Sequence, residues 1–407
     1  MTVFDRCTNG GYALPGQEHL WQAGLFQCKG EGFGVWLRDS VHIAMRGGSL
    51  IDPETAGRSL LYAIKKGFDN GSDGPAMGAV GLWDYYLATG DRSLLEDGYD
   101  VLRETMTEIE NRYNEDKGLV RAEQSTSNDA FPEPENAGYS LGSECYYMKA
   151  YDSMAKIEKL LHGENENSEK WSRVSEQLRE KIREEYWNDE AGYFTSGPKG
   201  SEAYEKKIWE TSGEEAALWD KFQIATQKQR RKILNSGIHT AMTPYGIRLF
   251  PHRKERNHFV GPVWPVWESG FASAAAETQN RELLLTMLAQ QMRTAVLHKN
   301  FHEVLEADTG KSWRWPGQLW HACGFAAQVL YGILGISYDE QGLRFQPCVP
   351  DAFKGLEIEN LNYQSAKLTV KTSGVGTVEY VIFDGEKVDF IPYGLTGNHI
   401  VHIKLKN

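Results

Sequence analysis

The sequence predicts a mainly α protein, two concentric rings of helices built from repeated hairpins, followed by a small C-terminal antiparallel β domain. Two observations carry that prediction. Up to about residue 336, apolar residues recur three and four apart between breaks at Gly, Pro and Asn-rich turns, which is the period of helices buried along one side. Beyond it come short β-type runs separated by Gly, Asn and Asp, the grammar of strands and turns. The expected domains are therefore 1–336 and 337–407.

The helical elements follow in order. The clearest are 53–68 (PETAGRSLLYAIKKGF), 75–90 (PAMGAVGLWDYYLATG), 92–113 (RSLLEDGYDVLRETMTEIENRY) and 138–161 (GYSLGSECYYMKAYDSMAKIEKLL). Then come 168–187 (SEKWSRVSEQLREKIREEYW), 261–279 (GPVWPVWESGFASAAAETQ), 281–297 (RELLLTMLAQQMRTAVL) and 315–336 (WPGQLWHACGFAAQVLYGILGI). Their character alternates. Segments rich in Gly, Ala and aromatics suit burial on most sides, whereas partners such as 168–187 carry one apolar stripe and a charged face. An inner and an outer ring of helices would produce that alternation. The β runs are LRFQPCVP, LEIENLNY, AKLTVKTS, TVEYVIFD, VDFIPYG and HIVHIKLK, between residues 343 and 406.

Composition narrows the function. With 44 basic against 56 acidic residues the formal charge is −12, and no Lys/Arg run makes a stripe for phosphates, which argues against nucleic acid as a partner. Five scattered cysteines without a CxxC pair signal neither a disulfide framework nor a zinc site. The opening residues MTVFDRCTNGG do not read as a secretory signal, and no stretch reaches membrane-span length, so a cytoplasmic protein is expected. The 12 tryptophans suit either a carbohydrate cleft or a helix-rich interior.

Four long polar and aromatic connections, 28–40, 121–137, 239–262 and 300–316, exceed the usual loop length and are candidates for function. The first holds Trp36, Arg38 and Asp39, of which Asp39 reads equally well as a helix cap. The second holds Glu123, Asp129, Phe131, Glu133 and Glu135. Trp264, Trp267 and Glu268 follow the third, and the tryptophans fit a helix core as well as a cleft. The fourth, FHEVLEADTGKSWRWPG, sets Glu303, Glu306 and Asp308 ahead of Trp313 and Trp315. Acids beside indoles suit sugar chemistry, because glycoside hydrolysis needs two carboxyls flanking the scissile bond. The chain has no GxSxG, GxxxxGK[ST], HExxH or strand-linked GxGxxG motif. No cofactor and no metal are expected.

The order WLRDS (36–40), WDYYLATGD (83–91), SECYYMKAYDSMAKI (143–157), GPVWPVW (261–267) and HEVLEADTG (302–310), ahead of an amphipathic helix and a β tail, resembles the six-hairpin glycosidases. The resemblance is to glycoside hydrolase family 63 and its relatives among trehalases, glycogen-debranching glucosidases and rhamnosidases. It implies an (α/α)6 toroid and an inverting, exo-acting hydrolase of a short α-glycoside, with a glucoside favoured. Glu303 matches the general base, although Ala307 stands where the family has proline. Asp129 falls where the general acid is expected, but SNDAFPEPE replaces the family's flanking pattern, which leaves Glu133 and Glu135 as substitutes. Burial near Phe131 would raise the pKa of that acid. Arg38 and Asp39 match residues that hold sugar hydroxyls, and Trp36, Trp264, Trp267 and Trp315 would line the walls. The readings left open are an α-L-rhamnosidase, an inverting disaccharide phosphorylase and a non-catalytic carbohydrate-binding barrel.

Overall fold

The structure is a computed structural model that describes residues 19–23, 34–68, 72–122, 134–251 and 262–406. In chain order the helices of its two rings are α1 (Leu37–Ile43, continued by Ala44–Gly48 and Ser49–Ile51), α2 (Pro53–Lys66), α3 (Gly74–Thr89), α4 (Arg92–Arg112), α5 (Leu141–His162) and α6 (Glu166–Glu185). These are followed by α7 (Thr211–Leu218), α8 (Gln227–Lys232, continued by Ile233–Gly237 and Ile238–Ala241), α9 (Ser269–Thr278), α10 (Arg281–His298) and α11 (Leu319–Ala327, continued by Gln328–Ile333). Odd-numbered helices form the inner ring, in which α11 closes back onto α1. Even-numbered helices pack outside.

Sequence sorts the two rings. α4 buries Leu95, Gly98, Leu102, Met106 and Ile109 along one stripe, the pattern of a helix with one wet face. α3 is buried almost throughout, from Gly74 to Ala88. Outer helices start on side-chain caps that satisfy free backbone N–H groups: Asp52 accepts from Thr55 N on α2, Asn165 forms a capping box with Ser168 on α6, and Asn280 accepts from Leu283 N on α10. Inner helices approach closely through small residues. A Cβ on Gly270 of α9 would stand 2.1 Å from the Glu215 carbonyl oxygen of α7.

Short β-hairpins lie between an outer helix and the following inner one. They are β1–β2 (Tyr113–Asn114, Leu119–Val120), β3–β4 (Trp187–Asn188, Tyr193–Phe194), β5–β6 (Met242–Thr243, Gly246–Ile247) and β7–β8 (His302–Leu305, Ser312–Pro316). The last corrects the expected helix over 315–336. Its opening residues pair with β7, and Gly317, at φ 73°, turns the chain into α11.

The C-terminal tail contains a hairpin, β9–β10 (Ile336–Asp339, Gly342–Phe345), and a five-stranded sheet of β11 (Glu357–Tyr363), β12 (Ser365–Ser373), β13 (Thr377–Phe383), β14 (Glu386–Val388) and β15 (Thr396–Lys406). Its order is β11-β12-β15-β13-β14. The pairings are antiparallel except for β12 with β15, which run parallel from Ser365↔Thr396. VDFIPYG keeps only Val388 in a strand, with Ile391 bridging Leu343. Ala366, Leu368, Val370, Val401, Ile403 and Leu405 face a common core with the barrel. Asn362 Nδ2 donates to Leu50 O at 2.9 Å and Gln364 N to Ala88 O at 2.7 Å. The sheet therefore sits against the C-terminal ends of the inner helices, which leaves their N-terminal ends as the opposite pole.

Candidate active site

The N-terminal ends of the inner helices converge on the pole away from the sheet, and of the sequence-nominated residues Trp36, Arg38, Asp39, Glu135, Trp264, Trp267 and Glu303 lie at or just before those ends. Trp36, half-buried, precedes α1, and Lys66 Nζ lies 4.6 Å from the centre of its ring. Arg38, in the first turn of α1, is buried and held by the entry to α3: Nη2 meets Asp73 Oδ1 at 2.6 Å and Ser72 Oγ at 3.2 Å, and Nε meets Asp73 Oδ1 at 3.2 Å. Asp39 is half-buried beside it. Glu135 lies on a short 3-10 turn, Pro134–Asn136, just before α5. Asp129, Phe131 and Glu133 fall outside the described residues, as does Glu123. The chain on either side of that segment is joined by Ala122 N donating to Gly138 O at 2.9 Å.

Two motifs far apart in sequence meet on this pole. Val263 and Leu305 exchange backbone hydrogen bonds of 2.9 and 3.0 Å, which ties β7, carrying half-buried Glu303, to the segment that leads into Trp264. The turn after β7 is closed by Gly310 N donating to Glu306 O at 2.8 Å, with Gly310 at φ 67°, and Arg248 Nη2 holds Asp308 at 3.1 Å. Trp313 is half-buried against the core. Trp315 is in β8, and its side chain falls outside the described residues.

Trp264 and Trp267 belong to an aromatic floor just beneath the pole. Trp267 meets His42 at 5.0 Å and Trp320 at 5.7 Å between ring centres, and Trp264 meets Trp320 at 6.2 Å. The core reading left open for Trp267 fits its 2 % exposure. Burial and the Arg46 guanidinium hold the His42 pKa well below the ordinary histidine range, and burial does the same to His321. Arg46 donates to His42 Nδ1 and Val266 N donates to His321 Nδ1 at 3.0 Å, so both neutral rings carry their proton on Nε2. Those two N–H groups and the indole N–H groups of Trp264, Trp267 and Trp320 have no hydrogen-bond partner among the described residues. The floor is thus rich in donors, and their natural complement is an oxygen lone pair.

A repeated brace fixes the inner-helix entrances. Val120 N donates to Glu144 at 3.0 and 3.2 Å, Phe194 N to Glu214 at 3.2 Å, and Ile247 N to Glu268 at 3.0 Å. In each case the second strand of a hairpin is received by an acid at the start of the next inner helix. Burial pushes the Glu144 and Glu214 pKa values well above the carboxylate range and that of Glu268 up to about 7. Gln291 Nε2 and Gln328 Nε2 also donate to Glu268, at 3.0 and 2.9 Å. An acid whose pKa is raised on folding stabilises the fold below its unfolded pKa and loses that stabilisation as pH rises through the folded value. A rise from about 4.5 to about 7 corresponds to about 3 kcal/mol. Glu268→Gln removes the titration, so between pH 4.5 and pH 7.5 the variant should gain about that much on wild type in denaturant unfolding, whatever its pH-independent cost.

Comparison with known proteins now places the chain. Residues 36–314 match the model of the bacterial alpha-L-rhamnosidase six-hairpin glycosidase domain. The chain belongs to that family. It therefore carries a glycoside-hydrolase-type domain of the six-hairpin fold, a family whose substrates are carbohydrates. A solved sialidase superposes on 96% of this chain with TM-score 0.72 and 14% identity, over 39% of its own length. The GH63 mannosylglycerate hydrolase of Thermus thermophilus covers 80% of this chain and 98% of its own, with TM-score 0.56 and 15% identity. The GH78 rhamnosidase of a Bacillus species covers 91% of this chain and 40% of its own, with TM-score 0.56 and 12% identity. The chain thus spans about two-fifths of the sialidase and rhamnosidase structures, and at these identities the likeness is one of fold. No curated protein matches by sequence. Among the described residues no helix is long and apolar enough to cross a membrane.

Sequence reasoning passed over Asp73, Arg46 and Trp320. Asp73 lay in the plain sight of a Ser-Asp-Gly-Pro helix start, but its pairing with Arg38 spans 35 positions and has no local signal.

Proposed function

We propose that this protein is an inverting, exo-acting glycoside hydrolase of short α-glycosides, and that a terminal α-L-rhamnoside is its first candidate substrate. The observation that carries the reading is the Val263–Leu305 pairing, which draws Glu303 and the Trp264 segment to the pole where Arg38 and Asp39 stand. Glu303 is the general base, holding a water beneath the anomeric carbon, and inversion calls for a separation of ~6.5–9.5 Å from the acid. Asp129 is the general acid, with Glu133 and Glu135 as its substitutes. Arg38, preorganised by Asp73 and Ser72, donates to substrate hydroxyls, and Trp36, Trp264 and Trp315 are the proposed wall residues.

Family membership moves the preferred sugar from the glucoside suggested by short motifs to a rhamnoside. A second reading, an α-glucoside or a glycosyl glycerate, is favoured by GPVWPVW together with the Glu303-x(4)-Asp308-Thr-Gly turn and by the near full-length coverage of the mannosylglycerate hydrolase. The test is anomeric proton NMR during turnover of aryl α-L-rhamnoside, α-glucoside and glucosylglycerate. Release of the inverted anomer from the rhamnoside is expected. Retained product would overturn the mechanism, turnover of only the other two would move the substrate, and cleavage only with added phosphate would make the protein a phosphorylase.

A further inference from the structure

The pole opposite the proposed active site holds a cavity of about 480 Å³. It opens among the C-terminal ends of α3, α5, α7, α9 and α11 and is closed on one side by β9. Buried side chains separate it from the proposed active site. Between the two poles Arg46 is sandwiched by Trp219 and Trp267, 5.0 and 5.5 Å from the ring centres, and all three side chains are fully buried.

The wall has a particular chemistry. Lys149, Lys156, Arg179 and Lys221 face it together with five acids, so a ligand of either strong charge meets as much repulsion as attraction. The charges are also already matched. Lys149 and Lys156 share Asp152, at 2.8 and 3.2 Å, and Lys156 reaches Glu340 at 3.1 Å. Lys221 Nζ meets Asp84 Oδ1 at 2.6 Å, Tyr338 OH at 2.6 Å and Met45 O at 3.1 Å. Burial lowers its pKa to about 8. A cavity walled by this many ionised groups cannot be dry, because dry cavities are apolar and a polar one of this size fills with water or with a ligand that hydrogen-bonds as water does. Trp83, 3 % exposed, edges the same wall, and its buried indole N–H has no hydrogen-bond partner among the described residues. A neutral molecule that donates and accepts at every carbon meets such a wall, the unpartnered indole N–H included, without adding charge, and the volume lies within the range of small-molecule sites.

We infer that this cavity is a second binding site for a neutral polyhydroxylated ligand of monosaccharide or disaccharide size, separate from the active site and without catalytic function. The inference does not rest on the identity of the substrate or on Glu303, since the lining shares no residue with the proposed active site. Gln346 stands exposed on the rim, where Gln346→Trp would plug the entrance from a position that tolerates bulk. Trp83→Phe is an independent variant that keeps the ring and removes the indole N–H.

The experiment is calorimetric titration of the full chain with L-rhamnose and with D-glucose, each to about 100 mM, in wild type, Arg38→Met, Gln346→Trp and Trp83→Phe. The expected result is a saturable component, for at least one sugar, that survives Arg38→Met and weakens by about tenfold or more in Gln346→Trp, while hydrolysis at the other pole is unchanged in Gln346→Trp. Weakening in Trp83→Phe as well would support the same wall. The inference is overturned if neither sugar binds saturably, if all binding disappears with Arg38→Met, or if Gln346→Trp binds as wild type does. Failure of the active-site reading would show instead as inactivity in the turnover assay, which leaves this titration untouched.

Discussion

Glu303→Gln should lower turnover by about 10³-fold or more while leaving the fold and substrate affinity close to wild type. General base catalysis contributes about 10² to 10⁴ in rate, and in an inverting enzyme the base has no covalent intermediate to share the work. Glutamine keeps the size of the side chain and most of its hydrogen bonding but cannot take a proton from water. The half-buried position on β7, in a hairpin fixed to Val263 on one side and to Ser312–Pro316 on the other, makes the substitution local. Steady-state kinetics separates the outcomes. A fall in kcat with KM near wild type identifies a group acting in the transition state. A rise in KM alone would make Glu303 a binding residue, and full activity would move the base elsewhere. In Glu303→Ala, which vacates the space of the carboxylate, added azide offers a further control, because the anion can attack in place of the activated water and return a glycosyl azide of inverted configuration.

The elements that sequence made legible are those whose signal is local. Helices α2, α4, α6 and α10 show an apolar stripe or a cap within their own residues, and their bounds fall within two or three positions of those expected. Helix α7 was missed because its eight residues include Glu214 and Glu215, which a pattern reading assigns to solvent. Both are fully buried, Glu214 accepting from Phe194 N and Glu215 from Arg46 Nη2 and Gly270 N. The two-residue strands of the first three hairpins are too short to show alternation. What marks them is the acid that receives them, at 144, 214 and 268, each next to small residues at an inner-helix start, and that recurrence is visible in sequence only once the hairpins are known. The site shows the same division. Arg38 and Glu303 could be nominated from motifs, whereas the Arg38–Asp73 pairing and the joining of residues 263 and 305 are products of the closed ring.

Glu215→Gln should cost about 3–5 kcal/mol of stability, the expected price of leaving a buried charge uncompensated. Arg46 and Glu215 have no exposed side-chain surface, and Nη2 meets Oε1 at 3.0 Å across the barrel from α1 to α7. Each has further partners: Arg46 Nε donates to Val266 O at 3.2 Å, and Gly270 N donates to Glu215 Oε1 at 3.0 Å. Arg46 reaches the axis because the α1 continuation is a π-turn, Ala44–Gly48, in which Gly47 at φ 104° lets the backbone swing. Three inner segments, α1, α7 and the Val266–Gly270 entry to α9, thus converge on one ion pair, and losing either charge strands the other in a low-dielectric interior. Removing both is a different matter, since a buried pair can often be exchanged for apolar side chains at little net cost. Arg46→Met with Glu215→Met should therefore lose clearly less than the sum of the single changes, a coupling readable from denaturant midpoints followed by tryptophan fluorescence. Additive losses would mean that water reaches the pair and that the two poles are not sealed from one another. Strong coupling would establish the plug on which the separation of the active site from the second cavity depends.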